Sequence, residues 1–219
     1  MSLKQTISAI ALFASMLMAG TASAASYSFY NITGNSSTDL SGQLSLDVSE
    51  LGGQALFTIA NASGGLASSI TQIYFDFGST SLFAIPNGIN FSATNSSATG
   101  VKYENGSNPG VLPGGKTVGF TVDDSGSAQS GPGGVMWNGV NPGEYVGFLG
   151  TFTSGSSFSA LLSALNSGDF RVGLHVQAIA PGDKSDSYVN VSPVPLPAAA
   201  WLFGSALIGF ISLSNRRKV

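Results

Sequence analysis

Between Tyr27 and Val191 the chain is written in short stretches where apolar and polar residues alternate, each stopped by a cluster of Gly, Asn, Ser or Pro. Successive side chains of an extended backbone point to opposite faces, so this period marks half-buried antiparallel strands. The stretches are Tyr27–Ile32, Gln43–Val48, Gln54–Ala60, Ile70–Phe77, Gly88–Ala93, Thr117–Val122, Glu144–Phe152, Asp169–Ile179 and Ser187–Val191. Leu44, Leu46 and Val48 share a face, as do Phe57 and Ile59, and as do Phe170, Val172, Leu174, Val176 and Ala178. One segment has a different period. Phe158, Leu161, Leu162 and Leu165 fall at helical spacing, Ser156 or Ser157 can cap the start, and Gly168 stands where a terminating glycine belongs. The pattern predicts an all-β body, an antiparallel β-sandwich or jelly-roll with one short helix. Its longest loops are expected at Gly106–Gly115 and Asp123–Gly134.

Composition places this body outside the cytoplasm. Only 9% of the 219 residues are charged and none is cysteine, against about 25% charged in ordinary globular chains. Without thiols there is no disulfide framework, thiolate metal site or cysteine nucleophile. Export without disulfides is more usual in bacteria than in eukaryotic secretion. The body holds four basic residues, Lys102, Lys116, Arg171 and Lys184, against all eleven acidic ones, a net charge of −7. Nucleic acid is therefore not an expected partner, because phosphate contacts need a basic footprint.

Both ends depart from the strand pattern. Lys4 precedes an apolar run from Ile7 to Ala19, followed by Ala22-Ser23-Ala24. That order is a secretory signal, with Ala22 and Ala24 filling the two small-residue pockets of signal peptidase. Residues 1–24 are therefore read as a signal peptide and 25–192 as the exported domain. Cleavage after Ala25 is nearly as well supported.

Residues 193–219 form a tail of three parts. Pro193, Pro195 and Pro197 alternate with Val194 and Leu196, which keeps the stretch extended and open to a processing enzyme. An apolar run from Ala198 to Leu213 follows, with Trp201 near its start at headgroup level. As a helix, Ala198–Ser214 would be about 25 Å long at 1.5 Å per residue, a marginal span for a hydrocarbon core of about 30 Å. Arg216, Arg217 and Lys218 close the chain as a positive stop on the cytoplasmic side. The expected product is anchored in the inner membrane by a separate C-terminal transmembrane helix, its body on the periplasmic side.

The stretch VPLPAAAWLFGSALIGFISLSNRRK resembles the PEP-CTERM class of sorting signal in its VPLPA variant. Leu196 stands where the commoner form has glutamate. The resemblance covers about the last 26 residues. It implies recognition of Val194, Pro195, Leu196 and Pro197 by an exosortase, a membrane cysteine protease of Gram-negative bacteria. It also implies delivery to the cell surface or an exopolysaccharide matrix after processing. In that setting the chain is a substrate of the enzyme and not an enzyme itself. NGVNPGEYVGFLGTF and FRVGLHVQAI are similar to body sequences that accompany such tails, and imply no activity.

The body is chemically quiet. His175 is the only histidine and alternates out of phase with the apolar face. It would have to be the base of any Ser-His-Asp site, and no nucleophile-elbow motif accompanies it. One histidine without cysteine does not build a zinc site. Asp123-Asp124, and Asp183 with Asp186, offer loop carboxylates of the kind calcium takes. Most aromatics alternate with apolar neighbours and are expected in the core. Trp137 is the exception, in a loop beside Asn138 and Asn141, where both a packing role and a sugar platform are open to it. The alternative function is accordingly a carbohydrate-binding module acting on matrix polysaccharide.

Overall fold

A computed structural model describes residues 24–85, 87–96, 100–106 and 110–191. The expected signal peptide as far as Ser23, the last body residue Ser192 and the expected tail from Pro193 lie outside these residues. Among the described residues ten antiparallel strands form one sheet, with order β5-β8-β3-β2-β1-β10-β9-β4-β7-β6. The strands are β1 (Ala24–Asn31), β2 (Leu44–Leu51), β3 (Gln54–Asn61), β4 (Ser69–Asp76), β5 (Ile89–Ser96), β6 (Tyr103–Asn105), β7 (Asp124–Ala128), β8 (Tyr145–Gly150), β9 (Arg171–Ile179) and β10 (Lys184–Asn190). The single α-helix among the described residues, α1, is Phe158–Ser167.

The sheet curls nearly into a barrel. β1 joins its two halves: Ala24–Ser28 pair with β2, and Phe29–Asn31 pair with β10. The edge strands β5 and β6 meet through side chains rather than a ladder, with Phe91 N donating to Asn105 Oδ1 at 3.4 Å and Asn105 Nδ2 to Asn87 Oδ1 at 3.3 Å. The alternating residues fill the interior as expected. Leu46, Val48, Phe57, Ile59, Val172, Leu174 and Val176 are all fully buried. Rings from both halves interlock: Phe57 meets Phe75 edge-on at 5.1 Å and stacks with Phe170 at 5.9 Å, and Phe170 stacks with Phe77 at 5.4 Å.

α1 begins and ends at the residues expected. Ser157 Oγ accepts from Ala160 N at 3.3 Å, and Gly168 adopts the left-handed conformation at φ 77°. Phe158, Leu161 and Leu165 insert into the core. Tyr27 Oη donates to Asn166 Oδ1 at 3.1 Å and ties the helix to β1.

Three sequence expectations are corrected. Thr117–Val122 is not a strand: a 3-10 turn runs Gly115–Val118 between left-handed glycines at 114 and 119. The segment is held instead by Arg171, which donates to the carbonyls of Val118 and Gly119 and pairs with Asp76. The loop expected over Asp123–Gly134 contains β7, whose DSGSA sequence has no apolar alternation. Gly126 is required there, since a Cβ would lie 2.1 Å from the Phe91 ring. Finally, Ala178 takes φ 53°, so Ile179 replaces it on the buried face.

Candidate functional site

Strand directions divide the molecule into two ends. β1 starts at Ala24, and Val191 N, just after β10, donates to Ser28 O at 2.9 Å. Both ends of the folded chain therefore leave on the same side, where α1 also packs. The opposite end gathers the start of β4, the close of β7, the end of β9 and the start of β10, because Ser69 pairs with Gln177 and Lys184 with Ile179. Trp137 lies at this second end.

Its loop is built by backbone bonds. After β7, Gln129 N donates to Lys102 O at 2.9 Å, and Gly131 and Gly134 exchange two N–H···O bonds of 3.1 and 2.9 Å. A 3-10 turn, Val135–Trp137, follows. Asn138 is buried and donates Nδ2 to Gln129 O at 2.9 Å, while its carbonyl accepts from Lys102 N at 2.9 Å. Ser69 Oγ donates to Met136 O at 3.1 Å. Gly139 passes too close to β4 to carry a side chain: a Cβ would lie 2.3 Å from Ser69 Oγ and 2.6 Å from Ile70 O. The next residue, Val140, exchanges two 3.0 Å bonds with Ile70.

This frame holds three consecutive apolar residues, Val135, Met136 and Trp137, out in solvent, with Trp137 59% exposed. The indole rests on glycine backbone, where a Cβ at Gly133 would lie 3.1 Å from Trp137 Cε3. Open depressions flank the turn. One of about 560 Å³ is bordered by Trp137, Met136, Asn141 and Glu144. A second of about 420 Å³ lies beyond Met136, against Gln177 and Lys184. A third of about 150 Å³ reaches from Gln177 to Val135 and Gln72. Both larger spaces are within the range of ligand clefts. Glu144 Oε2 is engaged by Asn141 N at 2.8 Å and Asn141 Nδ2 at 3.0 Å.

The other sequence candidates are placed elsewhere. His175 Nδ1 is 3.4 Å from Ser187 Oγ, and Ser187 is fully buried in β10. Burial holds the imidazole below its usual pKa, opposed by the charge of Asp186. Three of the four aspartates considered for calcium accept hydrogen bonds within the fold, and the fourth, Asp183, is exposed at the second depression. Asp123 accepts from Phe77 N at 2.7 Å, and Asp124 from Ile89 N at 3.1 Å and Ser125 N at 2.9 Å. Burial raises the Asp124 pKa against those hydrogen bonds. Asp186 accepts from Thr33 Oγ1 at 2.7 Å, Asn35 N at 2.6 Å and Ser36 N at 3.0 Å. Among the described residues no three His, Cys, Asp or Glu side chains group as metal ligands. Ala24 opens β1. Ala22, the motif Val194–Pro197, Ala198, Trp201, Leu213, Arg216, Arg217 and Lys218 lie outside the described residues.

Sequence reasoning found Trp137 from its loop setting. Met136 adjoins it in the same turn, whereas Gln177 and Lys184 carry no local signal and are brought there only by the β4–β9–β10 register. Comparisons with protein-family models, curated proteins and solved structures give no match.

Proposed function

We propose that this chain is an exported, non-enzymatic protein of the bacterial surface or extracellular matrix. It is released from its signal peptide by signal peptidase, held in the inner membrane by its C-terminal tail, and processed at Val194–Pro197 by an exosortase-type enzyme. The observation that carries this reading is the pairing of an export signal with a proline motif, apolar run and basic stop, around a body without catalytic constellations. Two structural features support it. Cleavage after Ala24 removes one residue pair, Ala24 with Ser49, and leaves β1 otherwise bonded to β2. Both ends of the body point the same way, so a tether at one end leaves the Trp137 end free. Among the described residues no helix is long and apolar enough to cross a membrane, and the proposed anchor belongs to the tail. The body in this reading is a sandwich of jelly-roll type, continuous through β1.

Replacing Val194–Pro197 with a glycine-serine stretch tests the assignment. The variant is expected to accumulate in the inner membrane as unprocessed precursor, while the wild type reaches the surface or medium. Identical fractionation of the two proteins would refute the role of the motif.

A second reading, a carbohydrate-binding module acting on matrix polysaccharide, is favoured by one observation. Trp137 is presented to solvent beside amide side chains instead of packing inward.

A further inference from the structure

Runs of exposed apolar residues are uncommon on folded domains and mark contact surfaces. Here the run Val135-Met136-Trp137 is not a frayed loop. Its backbone is tied to β4 through Ser69 and Ile70, and to the segment before β6 through Lys102. An aromatic platform held this way loses little freedom on binding.

The surroundings narrow the ligand. Met136 borders both larger depressions, and Gln177 borders the second and third, so the three make a series around the turn in which each shares a lining residue with the next. Its polar edge is mainly amide and hydroxyl: Asn141, Gln177, Gln72 and Ser185. Its charged residues are Glu144, already bonded to Asn141, and Asp183 next to Lys184. Among the described residues no cluster of cations borders it, and the body as a whole carries −7, from four basic and eleven acidic residues. A polyanion would be repelled.

We infer that this end of the molecule binds an extended neutral polysaccharide, which crosses the Met136–Trp137 ridge and occupies the depressions on both sides. The inference rests on the carbohydrate-binding reading and specifies its ligand. Equatorially linked pyranoses suit the ridge, because their C–H faces are flat enough to lie on an indole while their hydroxyls reach the flanking amides. The site takes several sugar residues, since depressions lie on both sides of the ridge. It faces away from Ala24 and Val191, so the polymer and the tether occupy opposite sides of the body.

The test is fluorescence anisotropy with the full chain in detergent. The probes are labelled β-1,4-linked glucose and N-acetylglucosamine oligomers, as disaccharide and hexasaccharide, and a uronate hexamer of matched length. The hexasaccharide of at least one neutral series should bind more tightly than its disaccharide and than the uronate. Trp137→Ala should weaken it about tenfold or more, with Trp137→Phe intermediate. Gln177→Ala should weaken the hexasaccharide several-fold and leave the disaccharide unchanged. Thermal melts of each variant guard against misfolding, and these surface changes should leave Tm within a few degrees. Equal affinity for short and long oligomers, with Gln177→Ala silent, would overturn the spanning site while leaving Trp137 as a sugar contact. Tighter binding of the uronate would overturn the neutral assignment. Absence of binding by either neutral series, or a Trp137-dependent dimer in sedimentation, would overturn both the inference and the reading beneath it.

Discussion

A Cβ placed on Gly131 would stand 2.9 Å from Cδ1 of Trp137. The indole is thus seated against bare backbone, and the glycines of the Gly131–Gly134 bridge set its position. Gly131→Val is expected to displace the ring while keeping the two backbone bonds to Gly134. In a Trp201→Phe background, where Trp137 is the sole tryptophan, the emission maximum should shift, with stability changed by no more than about 1 kcal/mol. An unchanged spectrum would mean that the glycine does not position the ring.

Phe170 is the hub of the aromatic core, stacked on Phe57 and Phe77 and edge-on to Phe83. Phe170→Ala should cost about 3–5 kcal/mol, the usual price of an aromatic deleted from a close-packed interior. Urea unfolding would show it as a lowered midpoint with an unchanged slope.

Arg171 joins Asp76 to the carbonyls of Val118 and Gly119 and lies 5.2 Å over the Phe120 ring. Lysine carries the charge without the planar fork, so Arg171→Lys should not rescue the site. Arg171→Ala is expected to lose about 3 kcal/mol by leaving the buried Asp76 unpaired, and Arg171→Lys to lose more than half as much. Limited proteolysis would locate the loosening at residues 111–122.

Asp186 introduces a pH dependence of known sign. Burial alone would raise its pKa, but the hydrogen bonds from Thr33, Asn35 and Ser36 outweigh it and hold the carboxyl below its ordinary value. A depressed folded pKa means that this stabilisation is present above the unfolded value of about 3.9. It fades as pH falls through the lower folded value. Asp186→Asn should cost about 1–3 kcal/mol at neutral pH and flatten the acid limb of the stability curve. A variant whose acid limb matches the wild type would contradict the assignment.

Legibility of the sequence followed from how much each residue's neighbours along the chain determine its environment. Phe57 and Ile59 could be placed because period-two alternation fixes a face locally. Ser157 and Gly168 could be placed because helix caps are local chemistry. β7 was illegible because Ser125, Gly126 and Ser127 carry no apolar signal, and Gly126 is chosen by a Phe91 ring distant in sequence. Thr117–Val122 misled because its β-branched and aromatic residues suit a strand, whereas Arg171 from β9 captures its carbonyls. The bulge at Ala178 likewise escapes any strict two-residue period. At the candidate site, Trp137 announced itself, while its partners across the ridge arrived only with the strand register.

Export and sorting are recorded in the fate of the two chain ends, and intact-mass spectrometry of the protein recovered from the surface or medium measures both at once. The predicted mass lacks the first 24 residues, or 25 if cleavage follows Ala25, and lacks Arg216, Arg217 and Lys218 together with the apolar run before them. The same protein from cells without the exosortase should retain that tail. A surface or secreted form ending at Val219 in exosortase-containing cells would contradict the proposal.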